Sequence, residues 1–277
     1  MANEFFKNFP EITYKLNDGR IVFIKDFFRK STIVESGLDS LIEYTMYECQ
    51  EGDRPDVVAS KLYGNGDLHW TFFLVNEITN YEEWFKDNEV FENYMTEKYE
   101  GQYLISSAST DIVSSSGKFL LGEQLTTHYT ELQAIKTELD KGAFSSANPS
   151  GKTDGQVQDL LAQREALLAV RKLGHVIQVD PLFNRIGIVG DRFATSDVIT
   201  GSKSTKSFTV SSAVERRDGI SYYENSDGVK KYTNESGYEP VTFYTEELNS
   251  NENKRLIKVI RPEFINRVVN EFERVMK

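Results

Sequence analysis

The segment 68–76 constrains the fold more than any other. Asp67 can cap a helix there, and that helix carries Trp70, Phe72, Phe73, Leu74 and Val75 on nearly every face. A helix that is apolar all round must lie inside a core or an interface. The residues before it supply packing partners. Tyr44, Thr45, Tyr47 and Cys49 favour a strand, which Gly52 and Asp53 break. Asp53 is then expected to cap a helix with Pro55 in its first turn, running to about Tyr63 with Val58 and Leu62 on one face. Gly64, Asn65 and Gly66 provide the positive backbone angles that end it.

The flanks read as further small elements. Asn17, Asp18 and Gly19 sit between Tyr14 and the run Ile21, Val22, Phe23 and Ile24, which predicts a hairpin that the chain leaves at 26–29. Between Glu77 and Glu100, eight acids and two lysines interleave with Tyr81, Trp84, Phe85, Phe91, Tyr94 and Tyr99. This pattern predicts an acidic amphipathic helix and, in its sharper reading, a partner-binding face. At the C-terminus a strand over 256–260 precedes Pro262 and a helix with the stripe Phe264, Ile265, Val268, Val269, Phe272, Val275 and Met276.

The middle of the chain is different. A Ser-rich loop over 106–117 leads to 119–127, which echoes 193–201: an aromatic, then an acid, an aliphatic residue and Thr at matching offsets. The echo predicts two equivalent strands of one β-unit. Between them, Asp180, Pro181 and Asn184 mark a second hairpin within 175–189. Helical spacing of Leu125, Tyr129, Leu132, Ile135 and Leu139, and of Val157, Leu161 and Leu168, predicts an antiparallel helical hairpin with a flexible tip over 142–151. Removing 127–172 is expected to leave a folded core. A third hairpin turns at Asp227 and Gly228, and a polar loop is expected after Tyr244.

Composition excludes several classes. With 32 Lys and Arg against 43 Asp and Glu, the net charge of −11 repels phosphate backbones, so no nucleic acid is expected as partner. No apolar run approaches the roughly 20 residues that span a bilayer, so no membrane partner is expected either. The N-terminus lacks the pattern of a signal peptide, and a single cysteine fits synthesis in a reducing cytoplasm. His69, His128 and His175 lack ligand spacing, so no metal and no cofactor are expected. No nucleophile elbow, phosphate loop or cysteine-protease context appears, and no catalytic residues are assigned. Cys49 reads as a small buried hydrophobe, and His69 beside Trp70 as a structural histidine.

Residues 47–64 form a pattern of strand, Gly-Asp, and a helix ending Tyr-Gly that resembles the LysM module. Together with 65–76, the aromatic hairpin 222–232 and the closing strand and helix at 253–276, the chain resembles the baseplate wedge subunit of T-even-type contractile-tail phages, which carries a LysM-like domain. Phe5, Phe6 and the 26–29 segment fit as well. The resemblance covers roughly the first hundred and last sixty residues and does not cover 104 to about 214. One departure stands out: after Asn76 the usual second LysM strand is missing, and Thr79 to Trp84 occupy its place.

The expected fold class is therefore α+β: an N-terminal region over 1–103 with a LysM-like module at about 44–78, a β-rich insert over 104–214 carrying a helical hairpin at about 123–172, and a C-terminal hairpin, strand and amphipathic helix over 215–277. The resemblance implies a non-enzymatic structural subunit of the virion tail baseplate, made in the host cytoplasm and repeated six-fold. It would clamp other baseplate wedge proteins and neighbouring wedges around the tail hub during assembly. Tyr63, Trp70, Trp84, Phe91, Phe264, Val268 and Phe272 are the expected partner-binding residues, with Trp70, Trp84 and Tyr63 as anchors because aromatics dominate interface energies. The alternative is a LysM-type peptidoglycan-binding module of a wall-lytic machine. An enzyme centred on His69 is a third reading, with no substrate selected.

Overall fold

The computed structural model describes residues 9–26, 44–114 and 117–276. The segment at 27–29, Phe5 and Phe6, and the side chains of Val275 and Met276 lie outside the described residues. The chain is mixed α+β. Its elements run β1 (Glu11–Lys15), β2 (Ile21–Lys25), β3 (Tyr44–Glu48), α1 (Pro55–Tyr63), α2 (Trp70–Val75), α3 (Asn88–Lys98), β4 (Gln102–Ile105) and α4 (Ser109–Ile112). Next come β5 (Val113–Ser114), β6 (Gly117–Lys118), β7 (Gln124–Thr127), α5 (Tyr129–Leu139), α6 (Asp154–Val170), β8 (Leu173–Asp180) and β9 (Arg185–Gly190). The chain closes with β10 (Val198–Gly201), β11 (Ser207–Thr209), β12 (Ser212–Glu215), β13 (Ile220–Glu224), β14 (Lys230–Lys231), β15 (Glu239–Thr242), α7 (Phe243–Asn253), β16 (Leu256–Ile260) and α8 (Ile265–Met276).

Two units form, one from residues 1–93 and 247–277 and the other from 94–246. Residues 94–103 and 215–246, grouped by sequence with the terminal regions, lie in the second unit. The cause is strand pairing: β4 bonds to both β9 and β12 within one sheet.

In the first unit, β1 and β2 form the expected hairpin, with Gly19 at φ +88° closing the turn and Asp18 accepting the Arg20 N–H at 3.0 Å. The strand β3 pairs antiparallel with β16, Leu256 opposite Glu48 and Ile260 opposite Tyr44. The partner of β3 thus comes from the other end of the chain. Helices α1 and α2 lie over this pair, and Val58, Ala59, Phe72, Trp84, Phe85, Ile257 and Val259 make one core. Two capping expectations change. Arg54, not Asp53, occupies the cap position of α1, because the Asp53 carboxylate is turned inward to bond elsewhere. Asn65, not Asp67, caps the short 3-10 turn before α2 through its side-chain oxygen, accepting the Asp67 N–H at 3.0 Å.

The second unit is built on a seven-stranded sheet in the order β11-β10-β7-β8-β9-β4-β12. Its core joins Leu104, Ile112, Phe119, Leu125, Val176, Ile186, Ile188, Phe193, Ile199, Phe208 and Val210. The Ser-rich 106–117 segment is more than a loop: α4 places Ile112 wholly inside this core. The tip between α5 and α6 carries its own hydrogen bonds, with Phe144 N–H donating to Lys152 O at 2.9 Å and Asn148 Nδ2 to Lys141 O at 2.8 Å. The expected polar loop after Tyr244 is helix α7. Thr242 Oγ1 accepts the Thr245 N–H at 3.1 Å at its start, so a local cap replaces the apolar stripe that sequence reading requires.

Candidate partner-binding surface of the first unit

The expected partner-binding residues fall into four places. Trp84 packs in the core under α1 and α2, its ring 6.0 Å from those of Phe72 and Phe73, and its Nε1–H donates to Asp53 O at 2.8 Å. Trp70 and Phe272 stack at 4.5 Å and share a cluster with Phe9. Val268 is buried beside Ile260 and Ile265, with the half-buried Tyr63 and Phe264 at the edge of that cluster. Tyr63 Oη donates to Ile260 O at 2.9 Å, which fixes α1 to β16. Phe91 is buried on α3. The structure therefore brings Trp70 and Phe272 together, and Tyr63, Val268 and Phe264 together. Their apolar area is spent largely inside this chain.

Polar side chains hold the scaffold of that surface in register. Asn76 donates through Nδ2 to Phe72 O and to Lys258 O, both at 2.8 Å, and its Oδ1 accepts the Lys258 N–H at 2.8 Å. One amide thereby ends α2 and extends the edge of β16. Asn251, which is buried, makes the same two-sided bridge to Lys86, accepting its N–H at 2.9 Å and donating to its O at 2.8 Å. Amides satisfied at both ends define one geometry at little cost.

Among the described residues of the unit, Asp53 is the buried charge. Its carboxylate accepts from Tyr47 Oη at 2.7 Å and Gln50 N–H at 2.9 Å, and pairs with the Lys61 ammonium. Burial alone pushes its pKa up, but the Lys61, Gln50 and Tyr47 donors outweigh that and hold it below the ordinary carboxylate value. Burial, and after it the same carboxylate, push the Tyr47 phenol up to about 12. An acid whose pKa is lower folded than unfolded contributes stability above its unfolded pKa, and this is lost as pH falls through the folded one. Asp53→Asn is therefore expected to flatten the acid limb of stability. Urea midpoints followed from pH 7 down to pH 3 should fall less steeply for the variant than for the wild type, and parallel curves would contradict the assignment.

Nucleophilic and metal chemistry find little support here. Burial pushes the Cys49 thiol up to about 12, so it stays protonated and inert at neutral pH. His69 Nδ1 lies 2.9 Å from Gly66 O, and its ring meets the edge of Phe73, both structural contacts. Among the described residues no group of three His, Cys, Asp or Glu could hold a metal ion, and no helix is long and apolar enough to cross a membrane.

Other apolar residues of the unit face water, Met46, Tyr81, Val90 and Leu256 among them. On the β1–β2 hairpin Phe23 is 73% exposed, Ile21 67% and Tyr14 50%. Thr13 opposes Phe23 and Lys15 opposes Ile21, so Phe23 and Ile21 share one face while Tyr14 points to the other. Sequence reading found the hairpin and missed this feature. The signal was present: Ile21, Val22, Phe23 and Ile24 are consecutive apolar residues on a strand, which puts hydrophobic groups on both faces.

Residues 6–107 match the profile of a family described as base plate wedge protein 53. No curated protein matches the chain.

Proposed function

We infer, from a chain whose residues 6–107 mark it as a phage base plate wedge subunit, that it holds neighbouring wedge proteins together through protein–protein contacts while the base plate assembles. The match over 6–107 is the observation that carries this reading. It implies a structural role in the virion and contact with other base plate components. The finer picture is our proposal: a non-enzymatic clamp repeated six-fold around the hub of a contractile tail, synthesised in the host cytoplasm, with residues 44–78 as a LysM-like module. The β3–α1–α2 order with β16 as the closing antiparallel strand supports the LysM-like reading. In this proposal Tyr63 and Phe264 contribute contact area. Trp70, Trp84, Phe91, Val268 and Phe272 act by fixing the shape of the surface from beneath. The insert serves as the wedge-peripheral part of the chain.

The hairpin face with Phe23 and Ile21 is the part of the surface we expect partners to cover. A two-stranded ribbon is marginal alone, and large exposed apolar side chains on it gain most from burial. Phe23→Asp should leave the cooperative unfolding of the chain unchanged while weakening its co-sedimentation with other purified wedge proteins about thirtyfold, as loss of a hot spot does. Undiminished co-sedimentation would remove the hairpin from the contact. The competing peptidoglycan reading is tested in parallel. Co-sedimentation with cell-wall sacculi, without binding to wedge proteins, would replace the clamp by a glycan-binding module.

A further inference from the structure

The geometry points to a tandem duplication in the second unit: β7–β8 and β10–β11 are two copies of one hairpin, and the α5–α6 arm is an insertion into the first copy. The inference rests on hydrogen bonds that repeat between residues 119–127 and 193–201, and between 172–176 and 206–210. Glu123 N–H donates to Leu120 O at 3.2 Å, and Asp197 N–H to Ala194 O at 3.2 Å. Leu120 N–H donates back to the Glu123 carboxylate at 2.7 Å, and Ala194 N–H to that of Asp197 at 2.8 Å. Gly122 N–H reaches Val176 O at 2.7 Å where Ser196 N–H reaches Val210 O at 2.8 Å. Val176 N–H returns to Glu123 O at 3.0 Å, and Val210 N–H to Asp197 O at 2.8 Å. Thr127 N–H meets Lys172 O at 3.2 Å, and Gly201 N–H meets Lys206 O at 2.8 Å. Even the left-handed turn residue repeats, with φ +75° at both Gly122 and Ser196.

The two copies face each other across a local two-fold axis. Strands β7 and β10 pair antiparallel with Thr126 opposite Thr200, which are equivalent positions, so the axis passes through that pair. Side chains obey the same exchange. Phe208 of the second copy packs edge-on against Phe119 of the first at 5.7 Å. At the mirrored place stands Gly174, where a Cβ would come within 3.1 Å of the Phe193 ring. The acids also cross over. Glu123 accepts the Ser204 N–H at 2.9 Å from the connection of the second copy, and Asp197 pairs at 2.7 Å with Lys172, at the end of the connection of the first.

Only the connection differs. Between Gly201 and Lys206 the second copy needs Ser202, Lys203, Ser204 and Thr205, whereas between Thr127 and Lys172 the first holds all of α5, the tip and α6. A four-residue link thus closes the same hairpin geometry, and the arm is a module whose task lies outside the folding of the sheet.

The test replaces residues 128–171 of the full chain with a second copy of the 202–205 sequence. Urea unfolding followed by far-UV circular dichroism should stay cooperative, with the helical signal of the arm gone. In the unaltered chain, hydrogen exchange supplies a measurement that needs no variant. Amides of Gly122, Val176, Ser196 and Val210 should exchange together at the slow rate of the sheet, and those of α5 and α6 at least tenfold faster through separate opening. Loss of the cooperative transition in the shortened chain, or arm amides exchanging at the rate of the sheet, would overturn the inference.

Discussion

Trp84→Ala is expected to destabilise the first unit by about 3–5 kcal/mol, the range for removing a large aromatic from a packed core. Trp84 is 3% exposed and lies against Phe72 and Phe73, which themselves cover α1 and β16. Truncation leaves a cavity where these elements meet. It also leaves Asp53 O without the indole donor that now reaches it at 2.8 Å. Both losses act beside Asp53, whose carboxylate ties β3 to α1. Tyr81→Ala is the control. Tyr81 touches the same Phe73 ring edge-on at 6.4 Å but is 60% exposed, so its loss should cost no more than about 1 kcal/mol. Urea denaturation of the two variants measures the contrast, and a Trp84→Ala change as small as that of the control would mean that the core does not depend on the indole.

The second unit has its own decisive side chain. Arg185 is 3% exposed, pairs with Asp180 at 2.9 Å, and lies over the rings of Tyr103 at 4.1 Å and Phe183 at 4.4 Å. Arg185→Ala removes the cation but leaves its carboxylate partner and an emptied slot between two rings. Breaking a buried pair from one side costs about 3–5 kcal/mol, because the remaining charge is stranded. Changing both partners at once, Arg185→Met with Asp180→Asn, should restore stability to within about 1 kcal/mol of wild type. Methionine refills the slot, and asparagine keeps an oxygen for the Phe183 N–H, which Asp180 now accepts at 3.4 Å. If the double variant were as unstable as the single one, the ion pair would contribute through its charge rather than through packing.

What could be read from sequence follows from how local each signal is. Helix ends and tight turns depend on a few adjacent residues, and Pro55, Gly64, Gly19 and Gly228 marked theirs. The all-apolar segment around Phe72 announced its own burial. The partner strand for β3 could not be read, because Tyr47 and Ile257 are far apart in sequence and nothing in either strand names the other. Asp53 was misread for a related reason. A carboxylate beside a helix start looks like a cap, and only the fold reveals that Lys61, Tyr47 and Gln50 converge on it. The echo of 119–127 in 193–201 was legible as strand equivalence, but the equivalence of β8 with β11 was hidden by the inserted arm between β7 and β8.

The candidate surface was less legible than the fold. Aromatic content points equally to a core and to an interface, and in this chain Trp70, Trp84 and Phe272 serve the core. Exposure is a property of the finished tertiary structure, so Phe23 and Ile21 could be identified as the open apolar pair only once the hairpin register was known.

In the proposed role this chain joins wedge proteins in the base plate. A high-resolution image of the assembled base plate tests it most directly. The account predicts the first unit seated between wedge proteins, with Phe23 and Ile21 of the hairpin covered by a neighbouring chain. A base plate in which the chain is absent, or in which it touches only one other protein and leaves that hairpin in solvent, would contradict it.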